Sequence, residues 1–222
     1  MSEVTLQLLF ARHAESLGNV ETTQEYDRAD PALTAHGVLQ AQLLGERLAA
    51  GRLDAVFASP LTRAVHTACE VAQRQSPVLR VELLPELMEV DTPPDCTGCP
   101  REILSSRFPL ALPCTEKSPA GGELCLGEEN YEIRTLRAER CVDYLCSRFN
   151  SGERILVVSH GGFTGFFLRT ALGLADEDIF RWCSYNTGLF KIKYYKDEKP
   201  KLAYANDTSH LYRLTDDLAY RI

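Results

Sequence analysis

Five short apolar runs recur along the chain, separated by longer stretches with helical spacing of apolar residues. Short runs rich in branched and aromatic residues are typical of β-strands, and apolar residues three or four apart indicate helices. In the last run Phe190, Ile192 and Tyr194 alternate with lysines, as expected for a strand with one solvated face. The predicted strands cover residues 5–11, 55–58, 78–84, 155–159 and 189–195.

The stretches between these runs predict helices with recognisable ends. Ser59 and Pro60 suit the N-cap and the first helical position of one helix, and Gly51 follows the end of another. The predicted helices cover residues 34–50, 59–73, 129–149 and 163–172. Strands that alternate with helices predict an α/β fold, a three-layer sandwich with a central, mainly parallel sheet and helices on both faces.

The chain length predicts a single domain over residues 1–222, with one segment of unusual composition inside it. Residues 91–127 hold six of the eleven prolines and four of the eight cysteines, which predicts a partly irregular, lid-like insertion. A zinc site and a reversible disulfide are two hypotheses for these cysteines. Free thiols, with no metal and no cofactor, are the favoured interpretation, because only two of the cysteines form a close pair. The four are Cys96, Cys99, Cys114 and Cys125.

Charge and cysteine content narrow the possible partners and compartment. The net charge of −7 argues against nucleic acid or an anionic membrane surface as a partner. A small anionic substrate stays possible, since a pocket can be locally positive on an acidic protein. Eight cysteines, with no secretory signal and no stretch long enough to span a membrane, predict reduced thiols in a cytoplasmic protein.

Arginine and histidine follow three of the predicted strands at the point where each strand ends. Arg12 and His13 follow the first strand, Arg63 the second, and His160 the fourth. Because the carboxyl ends of parallel strands meet at one edge of a sheet, these four side chains are expected to converge there. Guanidinium groups match phosphate oxygens bidentately. The pattern therefore predicts a phosphate-binding pocket, and by itself predicts binding but not cleavage.

The motifs that carry these residues resemble those of a known family. The chain contains "RHAES" followed by Asn19, then "DPALTAHGVLQA", "SPLTRAVHTA", "VVSHGG" and "YNTGLFKI", in that order. This series is similar to the histidine phosphatase, or phosphoglycerate mutase-like, superfamily, from about residue 5 to 195. Ala14 stands where the family usually has glycine, and residues 91–127 match the family poorly.

The resemblance implies a role for each matching residue. It makes His13 the nucleophile that forms a phosphohistidine, with Arg12, Arg63 and His160 on the phosphoryl oxygens. It also implies substrate contacts from Asn19 and Gly161.

The family's proton donor is a carboxylate that follows the third strand, and several acidic residues stand there. Glu89 is assigned this role, with Glu86 and Asp91 as alternatives. Glu15, inside the first motif, is interpreted as a structural partner.

The sequence favours a phosphomonoester hydrolase within this family. Mutases of the family carry a tryptophan before the asparagine that corresponds to Asn19, whereas the only tryptophan here is Trp182. The alternatives are a phosphoglycerate mutase-type transferase and a catalytically idle binding module. The expected partner is a small phosphorylated substrate, with a phosphoprotein left open, and the apolar residues of the insertion hint at a partly apolar leaving group. The apolar residues of the insertion are Phe108, Leu110 and Leu112. Near the C-terminus, His210 is expected to anchor the tail onto the body of the protein.

Overall fold

A computed structural model describes residues 2–25, 27–112, 128–175, 182–212 and 214 of the chain. Within them seven strands form one sheet, in the order β4-β3-β2-β5-β1-β6-β7. Neighbours from β4 to β1 run parallel, and β6 and β7 are antiparallel to their neighbours. The strands are β1 (Val4–Arg12), β2 (Ala55–Ala58), β3 (Val81–Leu83), β4 (Ala111–Leu112), β5 (Glu153–Ser159), β6 (Leu189–Tyr195) and β7 (Lys201–Asp207).

Helices cover both faces of the sheet, which confirms the three-layer α/β sandwich. Residues of α1, α2 and α3 pack with alternate strand residues such as Leu9 and Val56 in one core. Residues of α4 and α5 pack with the intervening ones, such as Phe10 and Phe57, in the other. The α-helices are α1 (Ala35–Ala49), α2 (Thr62–Ala72), α3 (Arg101–Arg107), α4 (Tyr131–Arg148) and α5 (Gly161–Leu172). Short 3-10 helices cover Leu17–Asn19, Pro85–Leu87 and Ser209–Leu211.

The register of the central strands brings their carboxyl ends level. In the β1–β5 pair Arg12 lies opposite Ser159, and in the β2–β5 pair Ala58 lies opposite Val158. The next residue, Ser59, donates its backbone N–H to the Val158 carbonyl at 3.0 Å. The chain therefore leaves all three strands at one edge of the sheet, as predicted.

Several elements differ from the sequence prediction. The segment predicted to be partly irregular contains α3 and β4. Strand β7 was not predicted, because its apolar residues are few and none of its residues is fully buried. The third strand is shorter than predicted, since Val78 is exposed and outside the pairing. Residues 113–127, with Cys114 and Cys125, lie outside the described residues, and the lid stays a prediction.

Helix α2 begins later than the predicted Ser59–Pro60 start. Leu61 is its N-cap residue, and the helix begins at Thr62. The carboxylate of Asp30, from a distant part of the chain, accepts the Thr62 N–H at 2.9 Å and the Thr62 hydroxyl at 2.6 Å. A capping group that arrives from tertiary structure replaces the local serine.

The described residues include no helix of the length and apolar character that a bilayer span needs.

Close packing of α1 on the first motif depends on Gly37. A Cβ built at this position would lie 1.9 Å from the backbone oxygen of Glu15, so the main chain would have to move. We expect Gly37→Ala to lower the free energy of unfolding by at least about 2 kcal/mol, measured by urea denaturation. The matched control is Gly165→Ala in α5, where the added Cβ meets only Trp182, at 3.9 Å. Equal stability of the two variants would contradict this account.

Candidate active site

Two buried imidazole rings lie together at this edge of the sheet. His13 follows β1 and His160 follows β5, and their ring centroids are 5.1 Å apart with planes inclined by 57°. His13 is 3% exposed and His160 is fully buried. The backbone N–H of His13 donates to the Ser159 carbonyl at 2.8 Å, which ties the end of β1 to the residue before His160. The parallel register therefore sets the distance between the rings.

The hydrogen bonds of His13 define its tautomer. Its Nδ1 lies 2.7 Å from the Ala14 carbonyl oxygen, which can only accept, so Nδ1 carries the proton. The Nε–H of Arg63 donates to Nε2 of His13 at 3.2 Å, so Nε2 presents its lone pair. The ring is thus a neutral imidazole with its unprotonated nitrogen on the side of the arginine.

Burial and positive charge keep both rings neutral. Loss of solvent lowers the pKa of His13 well below its usual value, and the guanidiniums of Arg63 and Arg12 lower it further. The pKa of His160 is likewise well below its usual value, first through burial and then through Arg63 and His13. A neutral imidazole is the form that can act as a nucleophile.

Three side-chain nitrogen atoms of the arginines and His160 are buried in the site and have no hydrogen-bond partner among the described residues. They are Nε of Arg12, Nη1 of Arg63 and Nδ1 of His160. Leaving a buried polar group unpaired costs about 1–3 kcal/mol. A tetrahedral anion with several acceptor oxygens would satisfy such a set of groups, because arginine and histidine donate to phosphate well.

Backbone and side-chain contacts hold each group of the site. Nη1 of Arg12 donates to the Ser184 carbonyl at 2.7 Å, and Nη1 of Arg63 lies 3.6 Å from the Asp30 carboxylate. Nε2 of His160 lies 2.7 Å from the Ser59 hydroxyl, which also accepts the Leu61 N–H. The Ser59 hydroxyl therefore bonds to His160, and Ser59 is not the N-cap residue of α2.

Glu89 reaches the site through the N-terminus of α5. Its carboxylate accepts the N–H of Gly162 at 3.1 Å and of Phe163 at 3.0 Å. It also interacts electrostatically with the guanidiniums of Arg12 and Arg63. The N–H groups of Gly162 and Phe163 in the first turn of α5 are thus occupied by this carboxylate, which the positive end of the helix dipole stabilises.

The other acidic candidates lie elsewhere. Glu86 is buried in the Pro85–Leu87 3-10 helix, and its charge acts on Cys141 of α4. Asp91 pairs with Arg134 through both carboxylate oxygens at 2.7 Å. Glu15 accepts the hydroxyl of Thr34 at 2.7 Å, which joins the first motif to the start of α1. Of these carboxylates, Glu89 is the one that bonds to the α5 N-terminus beside His160.

Asn19 belongs to a small amide network behind His13. Its Oδ1 accepts from the Ser16 N–H at 3.1 Å and lies 3.4 Å from Nδ2 of Asn186. Nδ2 of Asn186 also donates to the His13 carbonyl at 3.0 Å. Asn186 and Asp30 were not singled out from the sequence, although both lie within the quoted motifs. Side chains that hold other side chains leave no local pattern, so only the motif match pointed to them.

Gly161 lies directly against the Arg12 guanidinium. A Cβ at Gly161 would come within 3.3 Å of Arg12 Nε, so glycine lets the arginine approach the first turn of α5.

His210 bonds through Nε2 to Thr187 Oγ1 at 2.9 Å and lies 3.4 Å from Nη1 of Arg47. The residues around His210 fit the expected tail anchor.

Cys96 and Cys99 are buried free thiols. Burial raises the pKa of both, which favours the protonated form. Within the described ranges no group of three or more histidine, cysteine, aspartate or glutamate side chains is arranged to hold a metal ion.

Comparisons with known proteins give a family match and related sequences. The family model described as "Histidine phosphatase superfamily (branch 1)" matches residues 8–208. The chain is 31% identical over 213 residues to a Yersinia enterocolitica protein named "Probable phosphoglycerate mutase GpmB", covering 93% of this chain and 95% of that protein. It is 29% identical to the adenosylcobalamin/alpha-ribazole phosphatase of Escherichia coli, covering 80% of this chain and 84% of the other.

Solved structures share the fold. The alpha-ribazole phosphatase from Shigella flexneri superimposes with a TM-score of 0.63 at 24% identity, over 90% of this chain and 96% of that one. A phosphoserine phosphatase variant from Entamoeba histolytica in complex with phosphoserine gives a TM-score of 0.60 at 22% identity, over 93% and 99%.

The buried histidines make stability depend on pH. Burial lowers the pKa of His210 to about 4, and that of His13 and His160 well below the usual value. Below about pH 6.5 the unfolded chain binds protons that the folded chain does not, so the free energy of unfolding should fall as the pH drops. His210→Gln should reduce this slope by about 1 kcal/mol per pH unit between pH 6 and 5, measured by urea denaturation. Parallel slopes for wild type and variant would contradict the shift at His210.

Proposed function

The chain belongs to the histidine phosphatase superfamily, and from that premise we propose that it hydrolyses phosphomonoesters through a phosphohistidine on Nε2 of His13. One observation carries the proposal: a buried, neutral His13 presents the lone pair of Nε2 beside Arg63, at 3.2 Å from its Nε. A nucleophile that is unprotonated among cations suits attack on a phosphoryl dianion.

In the proposed first step Nε2 of His13 forms a bond to phosphorus while the bond from phosphorus to the ester oxygen breaks. Arg12, Arg63 and His160 hold the three non-bridging oxygens through the buried nitrogens that have no hydrogen-bond partner among the described residues. With the Ser59 hydroxyl donating to Nε2 of His160, Nδ1 carries the proton and donates to the substrate. The ring of His160 thus serves as a neutral donor.

The leaving oxygen needs a proton, and we assign that proton to Glu89. The carboxylate left behind is stabilised by the N–H groups of Gly162 and Phe163. In the second step it takes a proton from water, whose oxygen attacks the phosphohistidine and releases inorganic phosphate. Asn19 adds a neutral donor from its amide nitrogen, because its Oδ1 is taken by Ser16.

The second candidate function is phosphoglycerate mutase-type transfer. It is favoured by the 31% identity to the Yersinia protein of that name. The absence of a tryptophan before Asn19 argues for hydrolysis. In the mutase reaction the phosphoryl group returns to a phosphoglycerate, whereas in hydrolysis it passes to water.

We propose the cytoplasm as the compartment. The free thiols of Cys96 and Cys99 suit a reducing environment.

Wild-type protein mixed with an aryl phosphate should form an acid-labile, base-stable phosphoprotein, because a phosphoryl group on imidazole has that stability pattern. His13→Ala should abolish both this species and the release of inorganic phosphate. The measurements are phosphate release and phosphorus-31 NMR of the quenched protein.

His66→Gln is the matched control for His13→Ala. His66 lies one turn beyond Arg63 on α2, packs against Phe108 with ring centroids 5.1 Å apart, and is outside the site. This variant should retain the phosphoprotein. Formation of 2-phosphoglycerate from 3-phosphoglycerate, without phosphate release, would favour the mutase. No phosphoprotein with any ester would indicate an idle binding module.

Glu89→Gln should slow hydrolysis of alkyl phosphates by about 10²-fold or more, because a poor leaving group needs a proton. An aryl phosphate leaves more easily as its anion and should lose less than about tenfold. The measurement is kcat/KM for both esters.

Glu86→Gln and Asp91→Asn are the controls for this assignment. Glu86 lies by α4 and Asp91 pairs with Arg134, so neither variant should distinguish the two esters. A selective loss with alkyl phosphates in either control, and not in Glu89→Gln, would move the proton donor to that residue.

A further inference from the structure

A cleft of about 640 Å³ opens beside the first turn of α5. Gly161 and Gly162 belong to its lining. The first lies against the Arg12 guanidinium, and the second donates its N–H to Glu89. The cleft therefore adjoins the site proposed to hold the phosphoryl group, on the side of the proposed proton donor.

Three aromatic side chains dominate this cleft, namely Tyr131, Phe166 and Trp182. The rings of Tyr131 and Phe166 are 5.5 Å apart and inclined by 58°. The Trp182 ring packs edge-on against the buried Phe190 at 6.1 Å. Val90 and Gly165 complete the apolar part of the lining. Aromatic walls of this kind favour a flat apolar ligand.

The charged side chain among the described lining residues already has an acidic partner. Arg134 is the one cation among the described lining residues, and both oxygens of Asp91 bind its Nη2 at 2.7 Å. Its guanidinium also lies over the Phe166 ring, at 5.8 Å from the centroid. Among the described lining residues, a second phosphate or a carboxylate on the leaving group would find no cation that lacks an acidic partner.

We propose that the aromatic cleft binds the substrate's leaving group, and that this group is an uncharged aromatic alcohol. The inference rests on the proposed function, because it takes the phosphoryl group to lie beside His13. It differs from the sequence-based hint, which relied on residues of the insertion. Phe108 is only 4% exposed and packs in the core with α2, as does Leu110, so these two residues do not line the cleft.

Trp182 is the only tryptophan of the chain, so its fluorescence reports on the cleft directly. The probe is 4-nitrobenzylphosphonate, a non-hydrolysable compound whose nitroaryl group quenches tryptophan. Methylphosphonate is the matched ligand without the ring. The first should quench Trp182 and bind about tenfold or more tightly than the second, since one aromatic contact set contributes about that factor. Methylphosphonate should displace it without quenching.

Variants test whether the ring enters the cleft. Gly165→Leu should fill it from α5, and Phe166→Ala should remove one wall. Each should lower the affinity for 4-nitrobenzylphosphonate about tenfold relative to that for methylphosphonate. Leu136→Ala removes an exposed apolar side chain from α4 outside the lining and should keep the wild-type ratio. Circular dichroism and urea denaturation verify that each variant is folded.

Binding without quenching, or an unchanged affinity ratio in both folded cleft variants, would overturn the proposal. Quenching that methylphosphonate cannot displace would also overturn it, because the ring would then bind independently of the phosphoryl site. Failure of the hydrolase proposal is recognised separately, by the absence of a phosphoprotein on His13.

Discussion

The contact between Nε of Arg63 and Nε2 of His13, at 3.2 Å, is the interaction on which the rest of the site depends. A proton on Nε2 would remove this hydrogen bond and add a third positive charge beside Arg12 and Arg63. Burial opposes the same protonation, so packing and electrostatics both favour the neutral ring. The Ala14 carbonyl then holds the ring's single proton on Nδ1. The fold thereby keeps a nucleophilic nitrogen unprotonated next to cations.

Two arginines at one sheet edge would repel each other without nearby negative charge. Asp30 and Glu89 supply it, and both also bind backbone N–H groups at the start of a helix, α2 and α5 respectively. Each carboxylate therefore serves a helix N-terminus and the arginine pocket together. This double use explains why the two guanidiniums can lie in the site while one nitrogen of each, and Nδ1 of His160, has no hydrogen-bond partner among the described residues.

The segment that carries Glu89 is held by a buried arginine on α4. Nη1 of Arg137 donates to the backbone carbonyls of Glu86 and Met88, at 2.9 and 2.6 Å, and Nη2 pairs with Glu129 at 2.7 Å. The guanidinium also lies 4.3 Å from the centroid of the Phe163 ring on α5. Arg137 of α4 thus contacts both the segment that carries the proposed proton donor and Phe163 in the first turn of α5.

Local sequence pattern predicted the strands β1, β2 and β5, which end at Arg12, Ala58 and Ser159, and with them the convergence of arginine and histidine at one edge. Apolar periodicity and parallel topology are sufficient for that, because both are properties of short stretches and of the right-handed crossover between them. The motif series added the family and the residue to test as nucleophile. Strand β7 was not predicted, because an edge strand with few large apolar residues, none of them fully buried, has a weak apolar pattern.

Only the tertiary structure decided which nitrogen of His13 is unprotonated, which carboxylate bonds to α5, and which aromatic residues line the cleft beside it. The contacts concerned join residues far apart in sequence: Arg63 is 50 positions from His13, and Gly162 is 73 from Glu89. Hydrogen bonds between such distant groups depend on the relative placement of packed elements. No short stretch of sequence encodes that placement, so it has to be read from the folded chain.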